Sequence, residues 1–168
     1  CNNAYSPTFT VPEGIYLKGG AKINDLLKQT KKMSKSAENP NGVIFLDDDK
    51  DTIIRKFKRA VTDSDASIKY DPENKAGVSN LLTIYSVFSG KSIKEAESEF
   101  AGRGYGEFKL AVGEAVADKL APIQAEQARL LADKAYLDGV LKSGAERAGR
   151  VADKTLAKVY RKIGFYQI

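Results

Sequence analysis

A chain of 168 residues, 42% hydrophobic, with 27 Lys and Arg against 22 Asp and Glu for a net charge of +5, can bury one core, or a helical domain with part of another attached, and leans toward anionic partners. It has no histidine and no tryptophan, and its single cysteine is Cys1, which excludes an internal disulfide, a Cys/His zinc site and any Ser-His or Cys-His catalytic pair. No apolar run approaches the ~20 residues that cross a bilayer, and no signal-peptide pattern stands at the N-terminus, so a cytoplasmic protein is expected.

The chain opens on Cys1-Asn2-Asn3-Ala4 without an initiator methionine, and a fragment of a longer protein is expected. Residues 1 to about 45 hold Pro7, Pro12, Pro40 and the pair Gly19-Gly20 among short apolar stretches such as Phe9-Thr10-Val11 and Val43-Ile44-Phe45. These predict strand ends and surface loops. From Asp47 the pattern becomes helical. Asp47, Asp48, Asp49 and Asp51 stand where a helix N-terminus favours negative charge, ahead of an apolar face of Ile53, Ile54, Phe57, Ala60 and Val61 and an opposite face of Arg55, Lys56, Lys58 and Arg59. A second helix is predicted from Val78 to Phe88, burying Val78, Leu81, Leu82, Tyr85 and Phe88 and stopping at Gly90.

Ser92-Ile93-Lys94-Glu95 and Ser143-Gly144-Ala145-Glu146 both have the form of a capping box, and each predicts a fresh helix start. Between them a long helix is expected from Gly106 to Ala132, with Phe108, Val112, Ala115, Val116, Leu120 and Ile123 at helical spacing and a kink at Pro122. The last helix, Glu146 to Ile163, is expected to bury Ala148, Val151, Ala152, Leu156, Val159, Tyr160 and Ile163. Five or so helices after residue 50 predict a mainly α protein with a bundle-like domain. Arg103-Gly104-Tyr105-Gly106-Glu107-Phe108 imitates the RNP1 pattern of RNA-recognition domains, but Glu107 replaces the stacking aromatic and the flanks are helical. An interhelical turn is the expectation there.

One segment carries chemistry. Lys32-Met33-Ser34-Lys35-Ser36 sets two ammonium groups three residues apart with two hydroxyls in a polar loop, a set of donors able to surround nucleotide phosphates. Read alone it is equally a solvated Lys/Ser loop. The pentapeptide is also the second signature of class I aminoacyl-tRNA synthetases, and its flanks resemble the bacterial tryptophanyl-tRNA synthetases over nearly the whole chain. The similarity runs through Phe9-Thr10-Val11-Pro12-Glu13, Gly20-Ala21-Lys22-Ile23, Lys58-Arg59-Ala60-Val61-Thr62-Asp63-Ser64, Lys75-Ala76-Gly77-Val78-Ser79-Asn80-Leu81-Leu82, Pro122-Ile123-Gln124 and Gly144-Ala145-Glu146-Arg147-Ala148. Two places depart from the family pattern: Asn24-Asp25-Leu26-Leu27-Lys28-Gln29 before the signature, and Ala37 after it, where an acid is common.

The resemblance implies that residues 1–45 are the C-terminal piece of a Rossmann-type catalytic domain, and residues 46–168 a helical anticodon-binding domain. It implies that Ile23 and the backbone near Met33 lie against the adenine of ATP while Lys32, Ser34, Lys35 and Ser36 hold its phosphates. Lys32 and Lys35 would then stabilise the charge that grows on departing pyrophosphate. Mg2+ would arrive with ATP, and Asp47-Asp48-Asp49 reads as a helix N-terminal cluster, with no metal site expected. Arg59, Thr62 and Asp63, with Tyr105 and Lys109, match segments that read the anticodon of tRNA(Trp) in the family, although Asp63 is equally a helix cap and Lys109 a solvated lysine. The family's histidine-containing signature cannot be in a chain without histidine, so it would lie upstream of Cys1. The chain alone would then be inactive and possibly monomeric, while the parent enzyme is a homodimer. Two alternatives stay open: a non-catalytic helical RNA-binding or interaction module, and the same segment of a tyrosyl-tRNA synthetase.

Overall fold

The computed structural model describes residues 1–16, 20 and 22–165, so Gly19 and Ala21 lie outside the described residues. It is mainly helical: α1 Lys50–Arg59, α2 Ala76–Ser89, α3 Ile93–Glu99, α4 Tyr105–Ala132 and α5 Lys134–Ile163, with a 3-10 turn at Pro40–Gly42. The chain divides into two compact units, Tyr16–Glu126 and the pair of segments Cys1–Ile15 with Gln127–Ile168.

The larger unit owes its order to apolar residues that recur at helical spacing. Ile53 and Phe57 of α1, Val78, Leu81, Leu82 and Tyr85 of α2, Ala96 of α3, and Phe108, Val112, Val116 and Leu120 of α4 form one buried cluster with Leu26 and Ile68. At its centre Phe108 lies 5.0 Å from Phe100 and 6.4 Å from Tyr85 between ring centroids, the latter edge-on, a packing that suits the positive rim and negative face of aromatic rings. Gly113 lets α4 approach α1, since a Cβ there would stand 3.2 Å from the Ile54 Cα.

The helix ends follow their local chemistry. Asp49 accepts the Thr52 N–H at 2.6 Å to start α1, and Gly90, at φ +77°, closes α2 in the left-handed conformation that a side chain resists. At α3 the capping box is complete: Ser92 accepts from the Glu95 N–H at 3.3 Å and its own N–H donates to Glu95 at 2.7 Å.

Several expectations are corrected. Among the described residues there is no strand at Phe9–Val11 or Val43–Phe45, only an isolated antiparallel bridge between Asn24 and Lys32. Lys56, expected on the solvent face, is 5% exposed. Its ammonium lies 2.6 Å from Asp48 Oδ2 and 4.7 Å from the centroid of Phe45, so charge pairing and an aromatic face offset its burial. Val61 falls beyond the end of α1 and is 47% exposed, and Ile123 on α4 is 54% exposed. Pro122 lies inside α4, which continues past it to Ala132, the end expected for this helix.

The largest correction concerns the smaller unit. Ser143 starts nothing, because α5 is continuous from Lys134, where Asp133 accepts the Tyr136 N–H at 2.9 Å. With a cap already supplied ten residues earlier and good helix formers between, Ser143 has no reason to leave helical dihedrals. Nor does α5 bury its apolar stripe: no residue in it is buried, and Val151 is 68% exposed. In this unit Lys162 donates to the Pro7 carbonyl and to Thr8 Oγ1, both at 2.8 Å, which ties the N-terminal segment to the end of α5.

Candidate functional site: a basic signature loop and a buried polar cluster

The signature loop is held at its base by three devices. Asp25, buried, accepts the backbone N–H groups of Leu27 and Lys28 at 2.8 and 2.9 Å, which turns the chain back on itself. Asp25 N–H then donates to Lys31 and Met33 N–H to Ile23, both at 2.9 Å, so Ile23 and Met33 face each other across a two-residue-deep hairpin. The side-chain amide of Asn80, from α2, both accepts the Asn24 N–H and donates to the Asn24 carbonyl at 2.9 Å. Gly42 is obligatory beneath this turn, because a Cβ would run into the Asp25 carboxylate.

Beyond that rigid base the loop is exposed. Ile23, Lys32, Met33, Ser34 and Lys35 line one groove of about 560 Å³ whose far wall is Val43 to Asp47. Ser36 lines an adjoining hollow of about 260 Å³ together with Lys32 and Ser34. The hydroxyls of Ser34 and Ser36 lie 3.1 Å apart. Lys32 and Lys35 are exposed and make no ion pair among the described residues, so both ammonium groups are available to an anion. An apolar patch of Ile23 and Met33 next to two cations and two hydroxyls can take a flat ring at one end and phosphates at the other. Among the described residues no three His, Cys, Asp or Glu side chains are grouped to hold a metal ion.

The second set of residues is built around Asp63. Tyr105, at the start of α4, donates to Asp63 Oδ1 at 2.6 Å, and Lys75, the residue before α2, donates to the same oxygen at 3.0 Å. Lys75 also pairs with Asp65 at 2.6 Å, and both Lys75 and Tyr105 reach the Ser67 carbonyl, at 3.3 and 3.2 Å. Burial alone would push the Asp63 carboxyl up, but the hydrogen bonds from Tyr105 and Lys75 outweigh it and bring the group down to about 2. The hydrogen bond to Asp65 and its neighbours hold Lys75 above the usual lysine range despite opposing desolvation, and burial together with Asp63 raises Tyr105. Asp63 Oδ2 is buried and has no hydrogen-bond partner among the described residues.

Lys109 is a turn further along α4, and its ammonium donates to the Ala60 carbonyl at 2.8 Å, where α1 ends. A cation suits that position, and desolvation lowers its pKa. Arg59 is exposed at the end of α1, with Thr62 half-buried beside Asp63. The structure thus joins Asp63 directly to Tyr105, gives Lys109 to a helix end, and leaves Arg59 outside the hydrogen-bonded cluster. Sequence reasoning missed Lys75, whose role is visible only once the segment 63–67 folds against it. Its one signal was membership of the Lys75–Leu82 block.

Two outcomes test this cluster. Lys75→Met leaves two neighbouring carboxylates without their cation and is expected to lower the melting temperature, by less than loss of a fully buried pair would because Asp65 is largely exposed; thermal unfolding followed by circular dichroism reads it. For Asp63 the folded-state value lies below the unfolded one, so its contribution is complete above pH ~4 and is lost as pH falls toward 2. Asp63→Asn should therefore flatten the loss of stability over that acid range, measured by urea unfolding at stepped pH.

The structure sets a basic loop at the edge of a groove ahead of a set of packed helices, and comparison with known proteins places the chain in a family. Residues 2–121 match the family described as tRNA synthetases class I (W and Y), and the chain belongs to that family. Its similar relatives are tryptophan–tRNA ligases: that of Leifsonia xyli is 48% identical over 166 residues, covering 99% of this chain and 49% of the relative. The ligase of Clostridium tetani is 50% identical over 164 residues, covering 98% and 48%. Among solved structures, tryptophanyl-tRNA synthetase from Mycoplasma pneumoniae superposes with a TM-score of 0.79 at 32% identity, over 89% of this chain and 45% of that one. The Campylobacter jejuni enzyme gives 0.62 at 29% identity, over 98% and 49%. The chain spans about half the length of the curated relatives it matches. No described helix is long and apolar enough to cross a membrane.

Proposed function

We propose that this chain supplies the pyrophosphate-holding loop and the anticodon-reading helices of a tryptophan–tRNA ligase, a cytoplasmic enzyme that activates tryptophan with ATP and transfers it to tRNA(Trp). The observation that carries the reading is the groove edged by Ile23, Met33, Lys32 and Lys35, with both ammonium groups unpaired among the described residues. In adenylate formation the tryptophan carboxylate attacks the α-phosphorus of ATP and the bond to pyrophosphate breaks. Lys32 and Lys35 stabilise the negative charge arriving on that leaving group, Ser34 and Ser36 donate to its oxygens, and Ile23 with the Met33 backbone flanks the adenine. Mg2+ arriving with ATP would neutralise part of the phosphate charge that Lys32 and Lys35 face.

In this reading residues 1–45 complete a catalytic domain and residues 46–168 bind tRNA. Arg59, Thr62, Asp63, Tyr105 and Lys109 face the anticodon loop, with the Asp63 carboxylate the acceptor for a base amino group. Half of the ATP site and the tryptophan pocket belong to the other half of the family's architecture, so the 168 residues alone are inactive and monomeric, whereas the complete enzyme is a homodimer.

Two measurements on the chain itself test the proposal. It should bind tRNA(Trp) with an affinity that falls steeply between about 50 and 200 mM salt, as phosphate contacts demand, and show no ATP–pyrophosphate exchange. Salt-independent binding would argue for an apolar protein partner, and measurable exchange would overturn the inactivity.

A further inference from the structure

One hollow of the helical region adjoins the Asp63 cluster and has no role in the reading above. It is a groove of about 860 Å³ between the segment 65–69 on one side and α3 with the α3–α4 turn on the other. Its place in the fold is informative. Asp65 and Ser67 line it while also belonging to the Asp63 cluster, and Gly104 at its far end precedes Tyr105. The groove therefore begins where the proposed anticodon-reading set stops.

Its chemistry is asymmetric. The two acids on its walls are already occupied: Asp65 by Lys75 and the Ser67 hydroxyl, and Glu97 by the Tyr70 N–H, which donates to Oε1 at 2.6 Å. The three cations are not. Lys69, Lys94 and Arg103 are exposed and make no ion pair among the described residues. Arg103 does feel the field of Glu99, but that carboxylate is bonded to Lys91 and Tyr85 at 2.8 and 3.1 Å. The Arg103 guanidinium carbon stands 5.7 Å from the centroid of the buried Phe100 ring, a contact that anchors a planar cation on the groove lining. Buried Ile68 contributes apolar surface to the lining. The wall is preformed as well, because Ala66 holds a left-handed backbone at φ +59°, a conformation a β-carbon resists and that persists only where neighbouring contacts enforce it.

We propose that this groove binds one unpaired nucleotide of the tRNA anticodon loop, adjacent to the base that meets the Asp63 cluster, its base stacked on Arg103 and its phosphates against Lys94 and Lys69. Cations, a planar stacking surface and an apolar lining beside an open volume are what single-stranded RNA requires and what a duplex cannot use. The inference rests on the anticodon reading given above, and extends it to Lys69, Lys94 and Arg103, to which that reading gives no role.

The test uses the 168-residue chain and an isolated anticodon stem-loop of tRNA(Trp), with affinity measured across a salt series. Lys94→Ala combined with Arg103→Ala is expected to weaken binding by about tenfold or more, as loss of a stacking platform and a phosphate contact implies. The slope of log affinity against log salt should become shallower by about 0.7, since one single-strand phosphate contact, that of Lys94, is lost. Arg103→Lys keeps the charge and loses the plane, so it should retain the salt slope while still weakening binding. Both sites are exposed, and an unchanged melting temperature shows that the fold is intact.

Wild-type affinity in the double variant would overturn the groove, and so would competition by polyglutamate as effective as by the RNA loop, which would indicate an acidic protein partner. The broader reading fails separately: if the unaltered chain does not bind the stem-loop at all, the anticodon role falls with the groove. If Lys109→Ala weakens binding and the double variant does not, only the groove falls.

Discussion

Lys35→Ala, made in a protein that joins this chain to the part of a tryptophan–tRNA ligase it does not cover, is expected under the proposed role to slow ATP–pyrophosphate exchange by about 10²-fold or more, the scale on which a preorganised charge stabiliser acts. The loss should fall mainly on the rate of activation, with a smaller effect on tryptophan binding, because the charge that Lys35 meets grows as pyrophosphate departs. The physical ground is the contrast within the loop. Its base is fixed by Asp25, Asn80 and the Ile23–Met33 pairing, while the lysine tips have no ion-pair partners among the described residues. Removing a tip therefore leaves the fold untouched and takes away a cation. Steady-state exchange kinetics check this, and a loss below ~3-fold would give the loop a structural role only.

Phe108→Ala should have the largest effect on stability, about 3–5 kcal/mol, because the ring is fully buried and touches the Phe100 and Tyr85 rings. Against the ~5–15 kcal/mol that holds an ordinary domain together, this is a large fraction. A fall in melting temperature on the order of 15 °C is expected by circular dichroism. Ile123→Ala, also on α4, is the control. With that side chain 54% exposed, the change should stay within about 0.5 kcal/mol. The difference between the two tests whether the core boundary on α4 lies where the structure draws it.

Much of the larger unit was legible in advance. In α2 the apolar spacing, the Gly90 stop and the buried set agree with each other, and Val78, Leu81, Leu82 and Tyr85 are all buried, with Phe88 packed partly buried at the edge of the core. The capping box at Ser92 was readable because both of its hydrogen bonds are local. The same pattern at Ser143 misled, since a local motif is used only where the chain needs a helix start, and Asp133 had already provided one. Likewise the apolar stripe of α5 is real in the sequence, yet burial is a property of two surfaces, and no residue of that stripe is fully buried. Lys56 went the other way: its charge predicted exposure, and only the arrival of Asp48 and Phe45 in space explains its burial.

For the site the division is similar. The pentapeptide Lys32–Ser36 and its flanks were sufficient, by themselves, to mark the synthetase family, because such signatures depend on the types and spacing of residues within a few positions. The amino-acid sequence also determined the helical class, through periodicity that each helix carries within itself. Tertiary structure alone decided which polar groups meet. Lys75 reaches Asp63 across 12 positions and Tyr105 reaches it across 42, and Asn80 reaches Asn24 across 56. Such contacts leave no periodic trace, since each partner is an ordinary polar residue until the packing of α2 and α4 closes the loop between them. Burial then converts that proximity into shifted ionisation and fixed geometry, and leaves Lys32 and Lys35 at the exposed end of a loop whose base is held.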